Sequence, residues 1–240
     1  MIVFFKEFPA QRPQGSEDSY VTVAHGISGF ASDWLTFPPI QQDHVRMAFS
    51  GDKTLIPLLK ALAEIYSPWW EDFSICLVEE QVVDKDHAQS SARLIEEYFL
   101  KRCRANFSVP LPFTPLVCDA TLPPEAILQE ALFQYQQPDV ALLGMGADGR
   151  IASLFPDAPE YEHALSATDP LVLTTPTHAP FKCLGMSLSA LENCKSIFLF
   201  ASGEDKGAVL DLAKKGINPQ LPISYILHSE KVECFVFCIR

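Results

Sequence analysis

The stretch from Leu142 to Pro156, Leu-Leu-Gly-Met-Gly-Ala-Asp-Gly-Arg-Ile-Ala-Ser-Leu-Phe-Pro, limits the fold more than any other part of this chain. It follows Asp139-Val140-Ala141, and the short unbroken apolar run here is what a strand buried in a parallel sheet requires. Gly144, Gly146 and Gly149 then allow the backbone to bend sharply where the strand ends. In an open α/β sheet, ligands bind at the carboxyl ends of strands, beside the amino ends of the following helices. The bend is therefore the first place to look for a site. A turn that merely closes a loop would use the same glycines.

The remainder of the chain alternates strand and helix patterns, which predicts an α/β fold with a doubly wound, mostly parallel sheet flanked by helices. His44–Phe49 reads as a strand leading into Ser50-Gly51-Asp52-Lys53-Thr54, and leucines at 55, 58, 59 and 62 give Leu55–Tyr66 one apolar helical face. Phe73–Val78 is a second strand, followed after a loop by a helix from Ser90 to Leu100. Pro123–Tyr135 reads as a helix with proline in its first turn and Ile127, Leu128, Ala131 and Leu132 on one side. Lys195–Ala201 is a strand and Gly203–Lys214 a helix with basic residues at its end, where they suit the helix dipole. Ile223–Leu227 and Val232–Cys238 read as strands that complete the sheet. Proline-rich pieces at Pro9–Pro13, Pro38–Pro39 and Pro110–Pro115 are connections rather than linkers, and 240 residues suit a single domain over 1–240.

Composition narrows the function. With 18 basic and 30 acidic residues the formal charge is −12, which argues against a nucleic-acid partner. A small anionic substrate is still compatible where a few basic groups and backbone amides converge. Apolar residues at 48% and charged residues at 20% are ordinary for a soluble globular chain. No apolar run is long enough to span a bilayer, and Met1–Phe5 is too short for a signal peptide before Lys6 and Glu7, so the expectation is no membrane partner and a cytoplasmic location. The seven cysteines are scattered without a C-x-x-C pair, which predicts buried thiols for most of them, and neither a disulfide framework nor a metal site. Cys234 and Cys238 should face the same side of a terminal strand.

Leu142–Pro156 resembles the signature of the 6-phosphogluconolactonases, L-L-G-M-G-x-D-G-H-T-A-S-L-F-P, departing from it at Arg150 for His and Ile151 for Thr. The related glucosamine-6-phosphate deaminases would read G-H-I-A-F-N-E-P-G, so Ser153-Leu154-Phe155-Pro156 points to the lactonase branch and Ile151 alone to the other. Ser50–Thr54 resembles the family's S-G-G-x-T-P turn, whose amides and hydroxyls face a sugar phosphate, with Asp52 in place of glycine; helix capping by Ser50 or Asp52 accounts for the same residues. Leu77–Val83 resembles V-D-E-R-x-V, with Gln81 in place of arginine, and His87-Ala88-Gln89-Ser90-Ser91 resembles H-x-x-S-N. Ala179–Leu188 is similar to A-P-x-x-R-[IL]-[ST]-[LM]-[TS]-L, with Cys183 in place of arginine and Lys182 one position earlier. Gly203–Lys206 keeps a G-x-x-K turn. The likeness spans His44 to Leu212 and implies a Rossmann-like fold of the deaminase/lactonase/isomerase type.

It also implies hydrolysis of 6-phospho-D-glucono-1,5-lactone to 6-phospho-D-gluconate, a step of the oxidative pentose phosphate pathway, with no cofactor and no metal, by a monomer or weak homodimer. Water attacking C1 needs a base, and the developing oxyanion needs donors. Arg150 cannot be that base because its guanidinium stays protonated. It can instead hold the phosphate or the oxyanion, leaving Asp148 as a weak base or His178, beside the Pro180 segment, as a substitute base; His178 as an ordinary loop residue is the alternative. The catalytic candidates are thus Asp148, Arg150 and His178. The substrate-binding candidates are Ser50, Gly51, Lys53, Thr54, Gln81, Gly144, Gly146, Gly149, Ser153 and Lys206. Glu79 and Glu80, as strand neighbours, face opposite sides and do not read as a catalytic pair; solvent or core-edge roles are expected for at least one. The substitutions at Asp52, Gln81, Arg150 and Cys183 open a second reading, an inactive homologue that binds a phosphosugar as a sensor or interaction module.

Overall fold

The strands of the main sheet are apolar at nearly every position because both of its faces are covered. The computed structural model describes residues 3–8, 19–29, 44–65, 68–108 and 111–239. Within them, β1 (Val3–Phe8), β2 (Val45–Phe49), β3 (Phe73–Leu77), β5 (Phe113–Thr114), β6 (Val140–Gly144), β9 (Ser196–Ser202) and β10 (Glu233–Ile239) form a seven-stranded sheet. Its order is β1-β10-β9-β6-β2-β3-β5, and every pairing is parallel. All five residues of β6 are buried. Cys234 and Cys238 of β10 are both buried. The proline stretches at 9–13 and 38–39 lie outside the described residues.

From β2 the chain winds outward through β3 to β5, and from β6 it winds the other way through β9 to β10. The direction reverses between β2 and β6, and a crevice forms outside the carboxyl ends of strands at such a reversal. Ser50 stitches the two ends together, its amide donating to the Leu142 carbonyl at 2.9 Å.

Helices α1 (19–29), α2 (Ile56–Glu64), α5 (Pro124–Gln134), α6 (Tyr161–Ser166), α7 (Leu188–Glu192) and α8 (Glu204–Ala213) cover the sheet. The helix expected over Ser90–Leu100 runs further: α3 (Ser91–Ile95) passes through a π turn (Glu96–Leu100) into α4 (Lys101–Phe107) and ends at Ser108 with φ 58°. Its last turns are mostly polar, which hides them from a reading based on apolar spacing. Phe99 in the π turn packs edge-on against Phe49 and Trp70, with ring centres 5.1 and 5.7 Å apart.

Ile223–Leu227, expected as a strand, is helix α9. A five-residue apolar run does not distinguish a buried strand from a buried helix. Here Pro222 sits at φ −51°, ψ −34° and starts a helical turn, and burial of Ile223, Ile226 and Leu227 holds it.

A second sheet, β4-β8-β7, made of β4 (Glu79–Gln81), β8 (Cys183–Met186) and β7 (Leu171–Thr174), is antiparallel. It stands beside the crevice. Glu79 pairs with Gly185 and Gln81 with Cys183, so the segments resembling V-D-E-R and A-P-x-x-R are joined in one wall.

Candidate functional site

A cavity of about 1050 Å³ opens at the reversal point, enough for a sugar phosphate. Its lining includes Ser50, Gly51 and Lys53 after β2, Gly144 at the end of β6, Gly146, Asp148, Arg150 and Ser153 beyond it, and Lys206 after β9. Gln81 and Cys183 of the small sheet and His178 from the loop before β8 also line it. Segments up to about 150 residues apart in sequence thus meet at one place. Of the residues singled out in the sequence, Thr54 and Gly149 are not part of the cavity wall. Lys182 is not part of it either; Cys183, its neighbour on the strand, is.

Gly149 serves the bend from behind. Its φ of 77° lies in the left-handed region that a side chain resists, and a Cβ there would come within 2.9 Å of the Leu221 side chain. Gly149 N donates to Gly146 O at 3.0 Å and Gly146 N to Arg150 O at 2.9 Å, closing the bend on itself. Asp148 and Arg150 stand on its rim, half exposed, joined by an ion pair of 3.0 Å between Arg150 Nη1 and Asp148 Oδ2. The guanidinium also lies over the Phe155 ring, 5.6 Å from its centre.

The Ser50–Thr54 turn behaves partly as a cap and partly as a cation holder. Asp52 Oδ1 accepts from Thr54 N at 2.9 Å and caps the short helical turn Lys53–Leu55. Its other oxygen lies 3.5 Å from Nζ of the buried Lys206, which also donates to Thr54 Oγ1 at 3.3 Å. The Ser50 hydroxyl and the Gly51 amide, expected to face a phosphate, instead both donate to Glu79 Oε1, at 2.7 and 2.8 Å. An internal carboxyl group has the donors first.

Glu80 is buried and Glu79 is part-buried at the cavity wall, so Glu79 takes the core-edge position expected of at least one of them. Glu80 receives Gln81 N and Ser91 N on Oε1, and Ala92 N and Ser90 Oγ on Oε2, at 2.6–3.0 Å. It anchors the amino end of α3. Burial raises its pKa, and these hydrogen bonds oppose the rise. Glu79 points the other way and lines the cavity. Burial raises its pKa from 4.5 to about 7; the Ser50 and Gly51 hydrogen bonds oppose this, and the charges of Asp52 and Glu80 add to it. Its position just beyond the carboxyl end of β3, where the topology collects ligand-facing groups, is the signal that sequence reasoning passed over.

The sign of the resulting pH dependence follows from linkage. Between pH 4.5 and about 7 the unfolded chain releases this proton while the folded chain keeps it, so this group's contribution to stability falls as pH rises. The full difference approaches about 3 kcal/mol. Urea unfolding of Glu79→Gln should therefore show a gain over wild type at pH 8 that vanishes at pH 4. A gain independent of pH would contradict the shift.

Asp157 was also missed by sequence reasoning. Its Oδ2 lies 2.8 Å from His178 Nδ1 and accepts from the His178 amide at 3.0 Å. Against the desolvation that would raise it, these bonds hold the Asp157 carboxyl below its ordinary range. No local signal links residues 21 positions apart. Cys183, placed where the resemblance puts arginine, carries a thiol pushed up to about 12 by burial, which keeps it neutral. Among the described residues no group of three or more His, Cys, Asp or Glu is placed to hold a metal ion, and no helix is long and apolar enough to cross a membrane.

A doubly wound parallel sheet with a polar cavity at its reversal point, lined by a buried lysine, a glycine bend and a His–Asp pair, defines a ligand-binding α/β protein of Rossmann-like type. Residues 34–235 match the family described as glucosamine-6-phosphate isomerases/6-phosphogluconolactonase, and the chain belongs to it. It is 40% identical over 195 residues to the 6-phosphogluconolactonase of Helicobacter pylori J99, covering 80% of this chain and 83% of that one. A crystal structure from Neisseria gonorrhoeae FA 1090 superposes with a TM-score of 0.88 at 33% identity over 100% of both chains. A 6-phosphogluconolactonase structure from Shewanella baltica OS155 gives 0.84 at 28% identity, covering 99% of this chain and 98% of that one.

Proposed function

We propose that the protein hydrolyses 6-phospho-D-glucono-1,5-lactone to 6-phospho-D-gluconate. The observation that carries this reading is the single cavity holding Lys206 and Lys53 at one strand-end cluster and Asp148, Arg150 and His178 at another. Relatives named for this activity support the substrate.

The two lysines follow β9 and β2 and form the basic side of the cavity, where a phosphate fits best. Asp52 partly offsets Lys206, so Lys53 contributes to holding the dianion. His178 supplies the base. With Nδ1–H donated to Asp157, the neutral ring presents Nε2 as a proton acceptor, and the carboxylate stabilises the imidazolium that forms. Water that loses its proton to Nε2 attacks C1, and the carbonyl oxygen gathers charge that the Arg150 guanidinium offsets. Arg150 therefore occupies the family's histidine position as an anion ligand, and the base sits on the loop before β8.

Lys206→Ala should weaken 6-phosphogluconate binding by about 10–100-fold, the worth of a charge-assisted hydrogen bond. Isothermal titration calorimetry measures this, and unchanged affinity would place the phosphate elsewhere.

Arg150 at the family's histidine position favours one other reading, a non-catalytic phosphosugar sensor. Lactone generated in situ and followed against its spontaneous hydrolysis separates the two. Wild type above that rate supports the lactonase. Wild type at that rate, with 6-phosphogluconate binding retained and Arg150→His active, supports the sensor.

A further inference from the structure

Three buried polar atoms in the described residues lack a hydrogen-bond partner: Glu79 Oε2, Gln81 Oε1 and Ser153 Oγ. All three belong to residues lining the cavity. Buried polar atoms are nearly always paired, so three orphans in one wall mark a surface completed by something else. Two of them sit two residues apart on β4, and the third comes from the bend after β6. Gly185, opposite Glu79 on β8, makes this convergence possible. A Cβ at 185 would come within 3.1 Å of Glu79 Cβ and collide with the Ser153 side chain.

The two oxygens of Glu79 are not equivalent. Oε1 is occupied by the Ser50 hydroxyl and the Gly51 amide, whereas Oε2 receives no donor. The groups facing the carboxyl are Ser50, Gly51 and Asp52 from the turn after β2, with the neutral Cys183 thiol on β8, while the charge of Glu80 acts from the opposite side of its own strand. None is a cation, and the only groups here that favour the charged form, the Ser50 hydroxyl and the Gly51 amide, sit on Oε1 and leave Oε2 bare. A proton there is the arrangement that the hydrogen bonding leaves open.

Opening a δ-lactone expels the ring oxygen as a secondary alkoxide, a poor leaving group unless it is protonated as it departs. Resting on the lactonase reading, we propose that Glu79 is the general acid of this site, delivering its Oε2 proton to the ring oxygen, while Gln81 Oε1 and Ser153 Oγ hold hydroxyls of the same sugar. Water gives one proton to His178 and bonds to C1. The C1–O5 bond then breaks, its electron pair stays on O5, and the Glu79 proton makes the C5 hydroxyl. Glu79 is left as a carboxylate whose charge is held by Ser50 Oγ–H and Gly51 N–H. The product acid and His178 release their protons to solvent and Glu79 regains one, so the net reaction yields one aldonate anion and one proton.

Glu79→Gln tests this because the amide keeps an acceptor for Ser50 and Gly51 but has no proton to give. The expected result is a kcat lowered about a hundredfold or more, with 6-phosphogluconate affinity within about threefold of wild type. The wild-type kcat should also fall on the alkaline side of neutrality, a limb absent from the variant's profile. A clamp that only holds the Ser50 turn would be satisfied by glutamine, leaving kcat and its pH profile unchanged; that outcome overturns the proposal. Should the variant misfold, infrared spectra of the wild-type protein decide, since a Glu79 carboxylate at pH 6 overturns the proposal and a carboxylic acid supports it. Wild type hydrolysing no faster than the spontaneous rate sinks the lactonase reading and this role with it. An active wild type with an unaffected Glu79→Gln sinks this role alone.

Discussion

His178→Ala should lower kcat/KM for the lactone by about 10²–10⁴-fold, the usual contribution of a positioned general base. The size of the effect follows from the pairing with Asp157. One carboxylate oxygen lies 2.8 Å from the ring Nδ1 and accepts from the His178 amide at 3.0 Å, so the ring is tethered with Nε2 turned away from the carboxylate. Asp157→Asn keeps the shape but can turn the ring to the wrong tautomer, so it should also be slow, by less than loss of the ring itself. Neither change touches the lysines, so 6-phosphogluconate affinity should hold while kcat falls. If His178→Ala is fully active and Asp148→Asn is dead, the base is on the glycine bend after all, and Arg150 serves to position it.

The second large effect is on stability. Glu80→Ala should cost about 3–5 kcal/mol in urea unfolding, the range for leaving buried polar groups without their charged partner. Four donors converge on this one carboxyl: the Gln81, Ser91 and Ala92 amides and the Ser90 hydroxyl. Two of those amides belong to the first turn of α3, whose partial positive charge the carboxylate meets. Alanine would leave all four without this acceptor in a buried region where water cannot easily replace it. Glu80→Gln keeps an acceptor for some of them and should lose less. A loss under about 1 kcal/mol for Glu80→Ala would mean that solvent reaches the site and that α3 is capped by other means.

Two adjacent glutamates thus have unlike expected consequences. Removing the charge of Glu79 is expected to stabilise the fold at alkaline pH and to slow the chemistry. Removing Glu80 is expected to destabilise the fold by several kcal/mol. Strand alternation fixes that they face apart. It does not fix what each one meets: Glu79 stands at the core edge, as expected of at least one of the pair, and Glu80 is buried under four donors.

Local order is what the residues themselves decided. Runs buried on both sides, such as Val140–Gly144 and Ser196–Ser202, can be satisfied only inside a covered parallel sheet, and their alternation with amphipathic helices dictates a doubly wound architecture. The glycine bend at 144–149 was equally legible, because a positive φ and a close approach leave few other residue choices. Lys206, Ser153 and Arg150 could be singled out because their segments resemble the lactonase motifs. Where long-range burial decides, the residues alone were ambiguous. Ile223–Leu227 is helical because its buried side and Pro222 favour a turn, and its five apolar residues would have suited a strand as well. The His178–Asp157 pair, the Glu79 hold on Ser50 and Gly51, and the wall joining Gln81 to Cys183 exist only because the sheet order places those segments side by side. Desolvation of Glu79 has the same origin: a carboxyl's environment is set by what surrounds it in space, and only the tertiary structure supplies that.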